Sequence, residues 1–253
     1  MFDDRLADLP VEIDAVELKR RERDTSSGFA RVTTTVVLHG NGAVGRGEDV
    51  TYDTADHDTL QAAGLPPLAG RYEFGEFSER LDGVALFPDS PERAASRHYR
   101  RWAVESAALD LALRQADTDL GAVLGRSYDP VRFVVSTRLD GDPPTADRVH
   151  KFLDTDPSLA FKLDPTHDWT AALVEELAET GAVRVVDLKA AYEGTTVDNP
   201  PDPELYRLVL DGFPDAVVED PGFTEETRPL FDGAEGRLSW DYPITGVESV
   251  REL

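Results

Sequence analysis

From about residue 130 onward, short apolar runs alternate regularly with longer helical stretches, and this rhythm constrains the fold more than any other feature. Strands are predicted near 131–137, 159–164, 183–189, 216–219 and 237–241. Helical segments start near Thr145, Thr170, Pro203 and Thr224, and a fifth begins near Gly246. Strands separated by crossovers of this length form a parallel α/β sheet. Within each strand one face is apolar and the other turns polar. Leu159, Phe161 and Leu163 oppose Ala160, Lys162 and Asp164; Val186 and Leu188 oppose Asp187 and Lys189. Leu238 and Trp240 oppose Ser239 and Asp241, and Phe133 and Val135 oppose Ser136 and Arg138. An open sheet covered by helices on both sides should be apolar on both faces. A barrel carries helices outside and polar groups at the C-terminal mouth, so the expectation is a TIM-type (β/α) barrel.

The first 129 residues have another texture. Val11–Arg23 and Ala30–His39 read as a hairpin joined by Thr25-Ser26-Ser27-Gly28. The Gly40–Gly47 stretch reads as a turn, because it lacks the following helix and the lysine of a phosphate cradle. Asp56–Pro91 is mixed, and Pro91 opens a long helix to about Ala116, with Trp102, Ser106, Leu109 and Leu113 as its buried stripe. The texture changes at Tyr128-Asp129-Pro130, so the expected division is an α+β domain over 1–129 and a (β/α) domain over 130–253.

Charge narrows the partners. The chain has 26 Lys plus Arg against 50 Asp plus Glu, a formal net charge of −24. Such an excess opposes broad contact with nucleic acid or anionic lipid. No apolar run approaches a membrane span, and the start lacks the basic and apolar segments of a signal peptide. There is no cysteine, hence no disulfide and no thiolate chemistry. These features point to a soluble, cytoplasmic protein. The scarcity of lysine beside arginine fits either a salt-adapted cytoplasm or a GC-biased genome.

Three acids end three successive predicted strands: Asp187, Glu219 and Asp241. Carboxylates converging on one barrel mouth repel one another unless a cation lies among them. Oxygen donors without histidine or cysteine suit Mg²⁺ better than Zn²⁺. In a chain this acidic, solvated acids falling at strand ends by chance are the competing reading. Two lysines, Lys162 and Lys189, share the acids' inward face. Lysine can act as a general base where arginine cannot, and a plain Lys–Asp ion-pair network is the alternative. The five histidines show no metal-ligand spacing, and His167, after the second strand, reads as a solvated loop residue.

These motifs, in this order, resemble the mandelate racemase and muconate-lactonizing branch of the enolase superfamily. Gly45-Arg46-Gly47-Glu48, the helix from Arg101 to Ala112, Phe161-Lys162-Leu163-Asp164, Val186-Asp187, Val218-Glu219-Asp220-Pro221 and Trp240-Asp241 carry the resemblance. It implies an N-terminal capping domain with a specificity loop around Ser26–Phe29, and Mg²⁺ held by Asp187, Glu219 and Asp241. The implied chemistry is removal of a proton beside a substrate carboxylate, with stabilisation of the enolate, in a racemisation, epimerisation, cycloisomerisation or dehydration of a small carboxylic acid. Two positions depart from the pattern. Asp164 stands where the second strand usually carries a second lysine, and Lys189 stands where the third often carries asparagine.

An eight-unit barrel takes roughly 250 residues, whereas the segment after Asp129 has room for about five strand–helix units. The expectation is therefore a partial barrel, truncated at its C-terminal side. Its open sheet edges would invite association of copies, low stability and little turnover. A non-catalytic remnant that binds a small acid is the rival function, and an unrelated partial barrel with solvated acids is a third.

Overall fold

A computed structural model describes residues 4–24, 30–192, 197–244 and 247–252. The chain divides between Asp129 and Pro130 into two compact units.

In the N-terminal unit the order is α1 (Asp4–Ala7), β1 (Pro10–Ile13), β2 (Ala15–Asp24), β3 (Ala30–Gly40), β4 (Ala43–Asp49), α2 (Thr54–Ala63), β5 (Gly70–Glu73), α3 (Phe74–Leu81), α4 (Ser96–Gln115) and α5 (Leu120–Leu124). Strands β2, β3 and β4 form an antiparallel sheet, while β1 pairs separately with β5. The single first strand expected over 11–23 is thus two. The chain breaks at Asp14, whose carboxylate accepts the Asn41 N–H at 3.0 Å, while Gln115 clamps the backbone N–H and C=O of Glu12. The expected turn Thr25–Gly28 and specificity loop Ser26–Phe29 lie outside the described residues.

The Gly40–Gly47 stretch turns only at Asn41-Gly42; from Ala43 it is strand β4. Its glycines serve packing. A Cβ on Gly45 would lie 2.1 Å from the Ala107 carbonyl oxygen, and one on Gly47 would lie 2.0 Å from that of Ala103. Backbone therefore meets backbone where α4 crosses β4. This also corrects the predicted helix face: Trp102 is 37 % exposed, and α4 buries Arg100, Ala103, Val104, Ala107, Ala108, Leu111 and Ala112 instead. Alanine fills the core because only small side chains fit against a glycine strand.

Beneath this helix lies a buried polar network. The fully buried Arg100 donates to Asp49 at 2.7 Å, to the Asp56 carbonyl at 2.9 Å and to the Leu86 carbonyl at 3.2 Å, with its guanidinium 3.5 Å from the Phe87 ring centre. Asp49 also caps the Thr51 N–H and hydroxyl. His57 Nε2 lies 2.9 Å from the Thr51 carbonyl and must donate to it, leaving Nδ1 to accept from the Thr34 hydroxyl at 2.9 Å.

The C-terminal unit runs β6 (Val135–Thr137), α6 (Asp147–Thr155), β7 (Phe161–Leu163), α7 (Ala171–Glu179), β8 (Val183–Asp187), α8 (Pro203–Gly212), β9 (Val217–Glu219), β10 (Leu238–Ser239) and α9 (Val247–Glu252). All five strands are parallel, in the order β6-β7-β8-β9-β10, so β6 and β10 are the sheet edges. This is a partial TIM-type barrel. Two of its helices, α7 and α8, start on side-chain caps: Thr170 accepts the Leu173 N–H, and Asp202 accepts those of Glu204 and Leu205 ahead of Pro203. Phe161, Leu163, Val186, Leu188 and Val218 are fully buried on the helix-facing side.

Two expectations fail in this unit. No α-helix starts near Thr224; between there and β10, Pro229 and Gly233 leave two 3₁₀ turns, Arg228–Phe231 and Glu235–Arg237. The first strand begins only at Val135, and Phe133, expected on the apolar face, is 88 % exposed. Among the described residues, no helix is long and apolar enough to cross a membrane.

Candidate metal centre

Parallel register brings the functional side chains together. Asp187 at the end of β8 pairs with Glu219 at the end of β9, and Glu219 with Ser239 of β10. Lys162 on β7 pairs one step lower with Val185, past an irregularity at Phe161/Lys162. Because side chains repeat every two residues along a strand, Lys162, Asp187 and Glu219 project from one face. The long lysine side chain then reaches up to the acids.

The contacts are close. The Lys162 ammonium lies 3.0 Å from Asp187 and donates to Glu219. Lys189 donates to Asp187 at 2.6 Å and stands 3.7 Å from Asp164, which Arg138 from the end of β6 holds at 3.1 Å. Asp187 is fully buried, and Lys162, Glu219, Lys189 and Asp164 are each less than a fifth exposed. Burial alone would lower the Lys162 pKa, but its bonds to Glu219 and Asp187 outweigh that and hold it up at about 12. Burial raises Glu219, against the pull of Lys162, and raises Asp164, against Lys189 and Arg138. Lys189 also takes a left-handed backbone, φ +51°, a conformation that costs a non-glycine residue about 1–3 kcal/mol. Its ammonium sits 4.7 Å from the centre of the Tyr192 ring, which stacks on Tyr242 at 4.0 Å.

Of the residues singled out in the sequence, Lys162, Asp187, Glu219 and Lys189 form one bonded cluster. Asp241 is exposed and stands near enough to raise Glu219 and Asp220 electrostatically, as a contribution smaller than burial. The three carboxylates whose oxygens lie within 4.8 Å of one another are those of Asp187, Glu219 and Asp220. Sequence parity passes over Asp220, which should face the helices. A left-handed backbone at φ +48°, just past the strand, turns it back. Asn199 is the other residue missed: buried, it donates to the Pro165 and Leu188 carbonyls and ties together the chain segments after β7 and β8. His167, read as a solvated loop residue, is half-exposed and lies 3.1 Å from Asp202.

A cavity of about 210 Å³ beside the cluster is lined by Arg138, Asp164, His167, Lys189 and Asn199 among others. Larger hollows, such as that of about 590 Å³ at the start of α8, lack this convergence of acids and lysines. The donor set fits a hard divalent cation. It offers oxygen ligands, and five carboxylates (Asp164, Asp187, Glu219, Asp220, Asp241) face three cations (Arg138, Lys162, Lys189), an excess of two negative charges.

This architecture, an α+β unit followed by a part-barrel with acids at its strand ends, is the fold of enolase-superfamily proteins. A mandelate racemase/muconate lactonizing enzyme from Bordetella bronchiseptica RB50 superposes with a TM-score of 0.63 at 19% identity, over 96% of this chain and 69% of that one. A dipeptide epimerase from Enterococcus faecalis V583 gives 0.61 at 16% identity, over 96% and 70%. Muconate lactonizing enzyme from Pseudomonas putida gives 0.59 at 17% identity, over 96% and 69%. No curated protein matches the chain by sequence. The chain belongs to the family described as a domain of unknown function (DUF8230), whose N-terminal domain matches residues 4–123 and C-terminal domain residues 127–253.

Proposed function

We propose that the protein binds Mg²⁺ through Asp187, Glu219 and Asp241 and removes a proton beside the carboxylate of a small organic acid, with racemase, epimerase, cycloisomerase or dehydratase outcome. The carrying observation is the convergence of the Asp187, Glu219 and Asp220 oxygens within 4.8 Å at the sheet's C-terminal end, with two lysines bonded to Asp187 and with Asp241 near enough to raise Glu219. Support also comes from the racemase, lactonizing and epimerase names borne by solved proteins of like fold. Bound there, the ion supplies Lewis-acid stabilisation of enolate charge.

The chain's own residues divide the remaining work. Lys162, held protonated by Glu219 and Asp187, contributes positive charge toward the developing oxyanion. Lys189, bonded to the same Asp187 oxygen and facing Asp164, is the base, which in its neutral form takes the proton at Nζ. Arg138 and the loop around Asn199 shape the acid-binding cavity.

Calorimetry with Mg²⁺, followed by a screen for deuterium incorporation into carboxylic acids, tests the reading. Metal binding with exchange that Lys189→Met abolishes and Glu219→Gln weakens is the expected result. Metal and acid binding without exchange makes the protein a small-acid binder, and no metal binding overturns the reading. We further propose that copies associate through the edges β6 and β10; just before β6, Val131 and Phe133 are 76 % and 88 % exposed. A monomer by light scattering would remove that part.

A further inference from the structure

We infer that Asp220 is a positioning residue, one that fixes where Asp241 stands. This rests on the metal-binding reading above. Strand β10 ends at Ser239, after two residues. Beyond it, the N–H of Asp241 donates to Asp220 Oδ1 at 2.9 Å and that of Tyr242 to Oδ2 at 3.1 Å. The Asp220 backbone is itself tied on both sides: its N–H donates to the Ser239 carbonyl at 3.0 Å, and its carbonyl accepts the Ala190 N–H at 3.1 Å. Asp220 is 1 % exposed. One buried residue thus links the chain after β8, the end of β9 and the chain after β10.

A buried carboxylate that lies within 4.8 Å of Asp187 and Glu219 could be read as a ligand. Its bonding argues otherwise. Each oxygen already accepts a backbone N–H, so the carboxylate has a structural use of its own, and charge-assisted bonds of this kind are strong. The left-handed φ of +48° gives the carboxylate this aim, and few side chains tolerate that backbone. Asp241, exposed and without a strand ladder of its own beyond Ser239, is the residue that this fork sets. Hydrogen bonds to a metal ligand's own backbone act on the metal through that ligand.

The test is a double-mutant cycle on the full chain, read by Mn²⁺ affinity and by amide exchange. Asp220→Gly and Asp220→Asn both accept a positive φ, so either variant keeps the backbone conformation while the fork is lost or halved. Asp220→Gly should weaken Mn²⁺ binding roughly 10–100-fold, with Asp220→Asn losing less. Amides of Asp241 and Tyr242 should exchange faster in Asp220→Gly, while that of Val218 on β9 stays protected. Because Asp220 acts through Asp241, Asp220→Gly combined with Asp241→Asn should bind Mn²⁺ within about twofold of Asp241→Asn alone. Additive losses would make Asp220 a direct ligand and overturn the inference. So would wild-type affinity, or unchanged exchange at Asp241 and Tyr242, in Asp220→Gly. A wild-type protein that binds no Mn²⁺ sinks the metal reading itself, and this inference with it.

Discussion

Each unit buries a polar cluster, and the two clusters are balanced differently. Beneath α4, Arg100 meets one carboxylate, Asp49, and its remaining donors go to main-chain carbonyls. That network is buried, and Arg100 also faces the Asp56 carboxylate, which burial raises against the pull of Arg100. At the end of the parallel sheet, five carboxylates share three cations, burial raises three of the acids, and two residues, Lys189 and Asp220, hold left-handed backbone. A cluster whose one cation is spent on buried oxygens holds a fold together. One left with surplus charge and strain is disposed to take something up.

The largest effect that could break this contrast is at Arg100. Arg100→Met leaves Asp49 buried without its ion partner, which costs about 3–5 kcal/mol. Urea denaturation should show that loss, and a smaller one would mean that Asp49 does not depend on Arg100. Glu219→Gln should lower Mg²⁺ affinity by roughly 10–100-fold. In calorimetry and in the Mg²⁺-induced rise of Tm the variant should fall short of the wild type. Equal rises would remove Glu219 from the site.

Alkaline pH sharpens the picture of Lys162. Its pKa is raised to about 12, so its stabilising contribution is complete below the unfolded value near 10.5 and is lost as pH climbs through about 12. With allowance for partial exposure, that loss is about 1–2 kcal/mol. Wild type should lose it between those pH values, and Lys162→Met should not. The smallest effect is at Asp164, whose carboxyl burial raises. For an acid with a raised pKa, the folded state gains as pH falls. In metal-free protein at pH 7, Asp164→Asn should therefore be as stable as wild type or more so, by less than about 1 kcal/mol. The gap should close as pH falls through the folded pKa, above the ordinary value near 4. A widening gap would show that Arg138 and Lys189 overpay for the burial of Asp164.

The period of two made Lys162, Asp187 and Glu219 legible, since alternate residues on paired strands share a face. It could not reveal Asp220, because the rule of alternation ends where φ turns positive, one residue past the strand. The large apolar residues of α4 suggest a helix phase other than the one the structure has. Against Gly45 and Gly47 the core is alanine, and Trp102 is left to the surface. The break at Asp14 depends on Gln115, a residue 101 positions away in sequence, which no local pattern announces. The helix expected after Thr224 gave way to Pro229 and Gly233, a local signal that the strand–helix rhythm obscured.

The backbone contact between β4 and α4 has a consequence for how the N-terminal unit opens. With no side chains between Gly45 and Ala107, or between Gly47 and Ala103, there is no room for water or for one element to slip along the other. The amide protons at the centre of α4 can then reach solvent only when strand and helix separate together. They should be the slowest to exchange in this unit, at a common rate, with protection equal to its whole free energy of unfolding.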